Sequence, residues 1–462
     1  MEHALDAPVV SSRVARLGLI AAILGSAMAF VDMTVVNVAL PAIQRDLGGG
    51  LAAQQWVVDA YLLTLGSLIL VGGSLGDILG TTRMFALGVA GFGLASVLCA
   101  VAQDPTMLIV FRGLQGIAGA LLTPASLALI TTLFSGAERG AAIGTWTAWS
   151  GISTVLGPVV GGWLIGVWSW RAIFLINVPI ALATLVILRA CGLQTKAAEE
   201  RVPIDLVGAA LCACGLGSLV FGFIEQPRLG WGNPAIPATI AGGALLLAAF
   251  VVWEARTPHA MLPLRLFRKR NFTVTNVETF AVYGGLSCWS FFLTIFLQQL
   301  AGYSAFHAGL ATVPLTIVMF FLSRYAGRYS AQFGPRFFMA AGPLVAGLSC
   351  AFLARLPTHP SYWTDLLPPL LGFSLGLALT VAPLTTTVLS DAGPSDAGIA
   401  SGVNNAVARI AGLVAIAVVG IAAASGTDHL SLHGYRVAMV VTAVLIGTGG
   451  VIGAIGIRNP TA

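Results

Sequence analysis

The sequence predicts an all-α membrane protein of fourteen transmembrane helices: two six-helix bundles plus two additional central helices. Three observations predict it. Of 462 residues, 57% are apolar and only 9% are charged. The apolar residues fall into fourteen runs, each long enough for a bilayer crossing of about 20 residues. A polar signature recurs after the second run of each half.

The composition excludes whole classes of function. Soluble domains carry roughly 25% charged residues, so this chain cannot cover a water-facing surface, and lipid is the solvent it needs. No cationic stripe is spare for phosphates, which argues against a nucleic-acid partner. The mean hydropathy is +0.91. The net charge is +5, with 21 Arg against 2 Lys, and where those charges sit matters more than their excess. Six cysteines lie in or beside apolar runs without a CxxC pair, and read as free, buried, small apolar residues.

The first run follows Arg13 and Arg16, and Ala27-Met28-Ala29 imitates a signal cleavage site. The run continues to Leu40, too long for a signal sequence, so it reads as an uncleaved helix. The first six spans are expected at 16–40, 52–75, 84–102, 106–133, 140–166 and 171–189. Two more, 204–224 and 235–253, are bracketed by polar segments Gln194–Asp205 and Glu254–Asn271. The last six are expected at 273–300, 306–330, 336–356, 364–390, 398–424 and 435–457. Gly, Ala, Ser and Thr clusters in every span permit close helix packing, which apolar surface alone does not drive in lipid. The domains are 14–190, 191–270 and 271–458.

An even number of spans leaves both termini on one side. That side collects sixteen Arg and Lys residues, the other five, and the positive-inside rule makes it cytoplasmic. Arg265-Leu-Phe-Arg268-Lys269-Arg270, with Leu262, Leu264, Leu266 and Phe267, has two open readings: contact with anionic lipid headgroups, or an ordinary positive-inside anchor.

The recurring signature reads Gly73-Ser-Leu75-Gly76-Asp77-Ile-Leu79-Gly80-Thr-Thr-Arg83, then Gly327-Arg328-Tyr-Ser330-Ala331-Gln-Phe333-Gly334-Pro335-Arg336. Two six-helix halves with matching loops suit a transporter built from repeats. With Asp32-Met-Thr34-Val-Val-Asn37-Val-Ala39-Leu40-Pro41, Arg112-Gly-Leu-Gln115-Gly116-Ile-Ala-Gly119, Gly157-Pro158-Val-Val-Gly161-Gly162 and Trp170-Arg171-Ala-Ile-Phe174-Leu-Ile-Asn177-Val-Pro179, the chain resembles the major facilitator superfamily. Specifically, it resembles the fourteen-helix drug:proton antiporter branch, over residues 14–457. Ala331 departs from the pattern in the second loop, and Thr81 and Thr82 stand where a basic residue is common.

The resemblance implies the major facilitator fold and proton-coupled antiport. It implies gating roles for Gly73, Asp77, Gly80 and Arg83, and for a pliable kink at Gly157, Pro158, Gly161 and Gly162; a static packing kink is the alternative. Ionisable groups inside spans are functional suspects because they are costly there. Asp32 is a candidate proton or cation site, or else an aspartate permanently paired with an arginine. Arg112 is a candidate coupling residue, or a fixed hydrogen-bonding hub beside Gln115, Gly116 and Gly119. Asp59 either lies at the outer interface or lines a vestibule. Glu278 is either a second proton carrier or a cytoplasmic-rim residue, and Arg409 is expected to answer it or backbone carbonyls. Trp146, Trp149, Trp289, Phe291, Phe292 and Phe296 are candidates for an aromatic substrate pocket, joined by Asn37 and Gln115.

Gly72-Gly-Ser74-Leu-Gly76 and Gly372-Phe-Ser374-Leu-Gly376 imitate a hydrolase motif, but neither follows a strand. His429 and His433 lack a third metal ligand in the sequence, and no phosphate-binding loop appears. The expected function is efflux of lipophilic drugs or toxic small molecules. Membrane carboxylates outnumber membrane arginines three to two, which points to cationic cargo. Proton motive force stands in place of a cofactor or metal. An exporter of a single antibiotic or metabolite is the alternative, and a non-transporting sensor a weaker one. The expected setting is a bacterial plasma membrane, and the expected unit a monomer.

Overall fold

A computed structural model describes residues 12–192, 204–258, 260–392, 396–423 and 429–459. Most of the first polar segment, Gln194–Asp205, lies outside the described residues.

Fourteen helices are long and apolar enough to cross a membrane. They are α1 (Ser12–Leu47), α2 (Gly50–Leu79), α3 (Thr81–Ala100), α4 (Pro105–Leu133), α5 (Gly136–Val167) and α6 (Ala172–Cys191). The central pair is α7 (Leu206–Leu229) and α8 (Ala235–Arg256). Then come α9 (Arg270–Leu300), α10 (Ala305–Phe333), α11 (Pro335–Leu353), α12 (Tyr362–Ala392), α13 (Ala397–Ala423) and α14 (Leu432–Gly456). The side bearing Ser12 and Asn459 is called here the terminal side, and its opposite the far side.

The two halves repeat one packing scheme. α2 and α3 pack on α4, α1 on α5 and α6, and α3 on α6. In the second half α10 and α11 pack on α12, α9 on α13 and α14, and α11 on α14. Adding eight to each helix number converts one set into the other. The contacts between halves obey the same rule, since α2 meets α13 and α5 meets α10. This is the major facilitator fold. The loop signature is repeated in backbone geometry as well: Gly80 and Gly334 have φ of +95° and +87°, a region open to glycine at little steric cost.

The central pair breaks that symmetry. α7 rests on α2 and α13, covering the seam between the halves on one side only, and α8 rests on α7. Trp56 of α2 donates to Glu225 of α7 at 3.1 Å, and Arg228 pairs with Glu225 at 2.7 Å. At the other end of the pair, Asp205 caps α7 through the Gly208 amide and accepts from the Trp253 indole at 2.8 Å.

Three expectations change. The first helix runs on to Leu47, because Asp46 accepts from the Trp170 indole and pairs with Arg171 at 2.5 Å. The basic segment before α9 turns inward: Leu266 and Phe272 are buried in a small core with Val388, Ala392, Ala400 and Val403. Arg265 pairs with Asp396 at 2.7 Å, Lys269 donates to the last carbonyls of α12, and Arg270 to those of α14. These cations sit where helix C-termini present unpaired carbonyls. The segment thus caps neighbouring helices, a role neither sequence reading named. Finally, the six cysteines are free, but Cys214 is exposed and Cys191 half-buried.

Helix approach in the first bundle depends on missing side chains. A Cβ at Gly72 of α2 would strike the Ala120 carbonyl of α4, whereas one at Gly76 would meet nothing within 4 Å. Gly72→Ala is therefore expected to lower stability by about 1–3 kcal/mol, the range for overpacking. Gly76→Ala should be neutral or stabilising by up to ~1 kcal/mol, because alanine is the better helix former. Thermal unfolding of the purified variants checks the contrast, and equal shifts would contradict the packing assigned here.

Candidate functional site

Among the described residues one ion pair is wholly buried. Arg112 of α4 holds Asp32 of α1 at 2.5 Å, with side chains 2% and 0% exposed. Arg112 Nε donates to the Val57 carbonyl of α2 at 3.0 Å, and Nη1 also donates to Gln115 at 2.6 Å. Gln115, one helical turn along α4, donates to Asp32 at 3.0 Å and to Ser96 of α3 at 2.9 Å. Asn177 of α6 donates to Ser96 at 3.2 Å. The Tyr61 ring lies against the guanidinium, 4.4 Å from its centre. Five helices thus meet in one polar network inside an apolar bundle. Gly116 permits it: a side chain there would strike Thr64 and the Tyr61 carbonyl of α2.

A narrow cavity between the halves adjoins this network. Its wall includes Ser26, Phe30 and Met33 of α1, Tyr61 of α2, Thr123 of α4 and Arg409 of α13. Arg409 leaves α13 opposite Gly66, where a Cβ would come within 3.2 Å of its own Cβ. Its Nη1 reaches the Met33 sulfur. Its Nε and the Tyr61 hydroxyl are buried without a hydrogen-bond partner.

The two halves are hydrogen-bonded to each other only from mid-membrane toward the far side, among the described residues. Asn37 donates to Ser290, Gln298 to the Val38 carbonyl, Gln299 to Gln44 and Gln55 to the Ile416 carbonyl. The far end of α5 closes on α10. Gly157 and Gly161 leave room for Thr34 and Val35 of α1, and Gly162 for Ala305 and Phe306. Gly309 of α10 makes space for the Pro158 carbonyl in return. Nearer the terminal side, Cβ atoms built at Gly140, Gly144 and Gly151 of α5 would meet nothing.

The other anticipated residues are dispersed. Asp59 is fully buried with both oxygens unpartnered, neither interfacial nor lining the cavity just described. Glu278 is also fully buried and unpartnered, so it is no rim residue; a Cβ at Gly453 of α14 would sit 2.8 Å from its Oε2. Arg409 does not answer Glu278, because their helices direct them to different neighbours. Asp77 and Arg83 are exposed, and a Cβ built at Gly73 would lie 3.8 Å from that of Pro124. Among the described residues the aromatic candidates fall in separate surroundings. Trp146 donates to Ser26 at 2.8 Å, and Trp149 is half exposed. Trp289 stacks on Phe373, Phe296 stacks on Tyr435, and Phe291 and Phe292 are core residues. Gln115 is consumed by the ion-pair network. The carboxylate excess that pointed to cationic cargo is likewise absent from the cavity wall, which carries Arg409 instead.

The network members not anticipated are Ser96 and Tyr61, which belong to no signature. Asn177 was visible in the sixth-span signature, but without a role.

Comparison with known proteins agrees with this architecture. The Major Facilitator Superfamily model matches residues 22–416. The chain belongs to that superfamily of transporters. It is 35% identical to a puromycin resistance protein of Streptomyces alboniger, covering 96% of this chain and 89% of that one. It is 36% identical to a cephamycin export protein of Amycolatopsis lactamdurans, covering 90% and 88%. It is 35% identical to a tetracenomycin C resistance and export protein of Streptomyces glaucescens, covering 88% and 76%. Among solved structures, a peptide transporter in complex with sulfate superposes with a TM-score of 0.71 at 16% identity, covering 94% and 93%.

Removing one member of a buried ion pair strands the other and typically costs about 3–5 kcal/mol. Arg112→Gln is expected to lower stability on that scale, and adding Asp32→Asn to recover most of it. A double-mutant cycle of unfolding midpoints measures the coupling. Additive losses would mean that the two groups do not depend on each other.

Proposed function

We propose that the chain is a proton-coupled efflux antiporter that exports lipophilic small molecules by alternating access, powered by the proton motive force without a cofactor. The observation that carries this reading is the Asp32–Arg112 pair, buried beside a cavity at the meeting of the two halves. The relatives named for resistance and export support the direction of transport. Because several are named for a single antibiotic, an exporter dedicated to one compound is the second reading.

In this mechanism both termini are cytoplasmic in a bacterial plasma membrane, and the single chain is the transport unit. A structure joined on the far side is then inward-facing, open to cytoplasmic cargo. Once the outer closure has parted, a proton arriving from outside neutralises Asp32 and frees Arg112 from its counter-charge. α1 and α4, no longer tied by that pair, can shift. α1 transmits the change to the second half through Asn37 and Ser290. Gly162 and Gly309 form the outer closure that must part for release. Asp59 and Glu278 are further candidate proton carriers, each fully buried without a partner. A driving force of ~150 mV is worth about 3.5 kcal/mol per proton, enough for a few-hundred-fold gradient of neutral cargo.

The test uses purified protein in liposomes with an imposed pH gradient. Proton movement is followed on adding a panel of lipophilic acids, neutral compounds and cations. Cargo-triggered flux is expected in the wild type and at least about tenfold less in Asp32→Asn, since the proton site is removed. Flux surviving in that variant would move the proton site to Asp59 or Glu278. No flux with any compound would overturn proton-coupled export. Gly162→Leu, which cannot pack on Ala305, is expected to abolish transport while cargo still binds, as equilibrium binding would report.

A further inference from the structure

We propose that the cavity between the halves binds the carboxylate of a lipophilic cargo through Arg409, with the Tyr61 hydroxyl as a second donor. This rests on the exporter reading and assigns it a class of substrate.

The argument begins with Arg409. A guanidinium stays charged in proteins and presents donors in a planar fork that fits a carboxylate. Inside a membrane such a group normally faces a partner or a water-filled path. The four ion pairs among the described residues do not include Arg409. Its Nη1 contacts only a thioether, a weak acceptor, and its Nε has no partner. Among the described residues the cation is therefore unanswered by any carboxylate, and it lies on a cavity wall.

Tyr61 supplies the second observation. Its hydroxyl is also buried and unpartnered, and it lines the same cavity. Its ring is held between the Arg112 guanidinium at 4.4 Å and the Phe92 ring, whose centroid is 6.5 Å away. The hydroxyl thus projects from a fixed platform. Two donors without acceptors in an otherwise largely apolar cavity match an anionic acceptor on an apolar body. The carboxylates elsewhere in the spans do not compete. Asp32 is engaged by Arg112 and Gln115, and Asp59 and Glu278 are buried off the cavity wall. A cationic cargo would find no free carboxylate on this wall and would be repelled by Arg409. In this state the cavity is narrow, so cargo entry requires the halves to separate around Arg409 and Tyr61.

The probes are pyrenebutyrate and its methyl ester, which share an apolar body and differ in charge. Binding is read by fluorescence anisotropy on the full chain in nanodiscs of zwitterionic lipid. The acid is expected to bind about tenfold tighter than the ester, as charge-assisted hydrogen bonds imply. Arg409→Gln should abolish that preference, weakening acid binding far more than ester binding. Tyr61→Phe should reduce the preference, and Arg409→Lys should retain part of it. Equal affinity of acid and ester in the wild type would overturn the proposal, as would a preference surviving in Arg409→Gln. If Arg409→Gln does not fold, an acid preference unchanged in both Arg409→Lys and Tyr61→Phe overturns it. Loss of the preference when phosphatidylglycerol is added would assign the site to a lipid headgroup instead. Proton flux driven equally well by the ester leaves the exporter reading intact and removes only this inference, whereas flux with no compound removes the exporter reading.

Discussion

A charge cannot sit alone in the dry interior of a helix bundle, and the first half of this protein is organised around one that does not. Arg112 is answered by Asp32, Asp32 also accepts from Gln115, and Gln115 is joined through Ser96 to Asn177. The network reaches α1, α2, α3, α4 and α6, so nearly the whole bundle bears on one ion pair. Its net contribution to stability is small, because desolvation offsets the attraction. Its structural reach is wide, since Asp32 ties α1 to the α4 side chains that bond α2 and α3.

The pseudo-symmetry of the halves makes its failures informative. The packing pairs of one half recur in the other, and Gly80 and Gly334 share a backbone conformation. The chemistry does not recur. Arg336 donates to the Ala454 carbonyl at 2.6 Å and fastens the end of α14, while Arg83 is exposed. Ala331 stands where the first loop has Asp77, so the second half lacks that acid and is tied down by capping cations. One half holds the ion pair, and the other holds the arginine that reaches across to the cavity. A repeat that keeps its fold and loses its chemical equivalence can assign coupling and cargo contact to different halves.

Most of the architecture was legible in the sequence. Bilayer thickness converts apolar length directly into helix count, and small residues mark where helices approach. The repeat was legible because a sharp turn between two helices requires a glycine at one position, and Gly80 and Gly334 keep that spacing. Asp32 and Arg112 stood out as rare charges in apolar runs, each inside a recognisable signature.

The sequence by itself determined the fourteen spans, the repeated halves, the superfamily resemblance and the few residues whose burial would be costly. The tertiary structure alone decided which of those residues meet. It paired Asp32 with Arg112, separated Arg409 from Glu278, withdrew Asp59 from the surface and dispersed the aromatic candidates between a half-exposed helix and a closed core. It also brought the basic linker onto helix ends. The reason is geometric. Hydropathy records how far a segment lies from water but not the direction in which its side chains point around the helix axis. A turn of 100° per residue decides whether a charge finds a counter-charge, a cavity or a neighbouring helix.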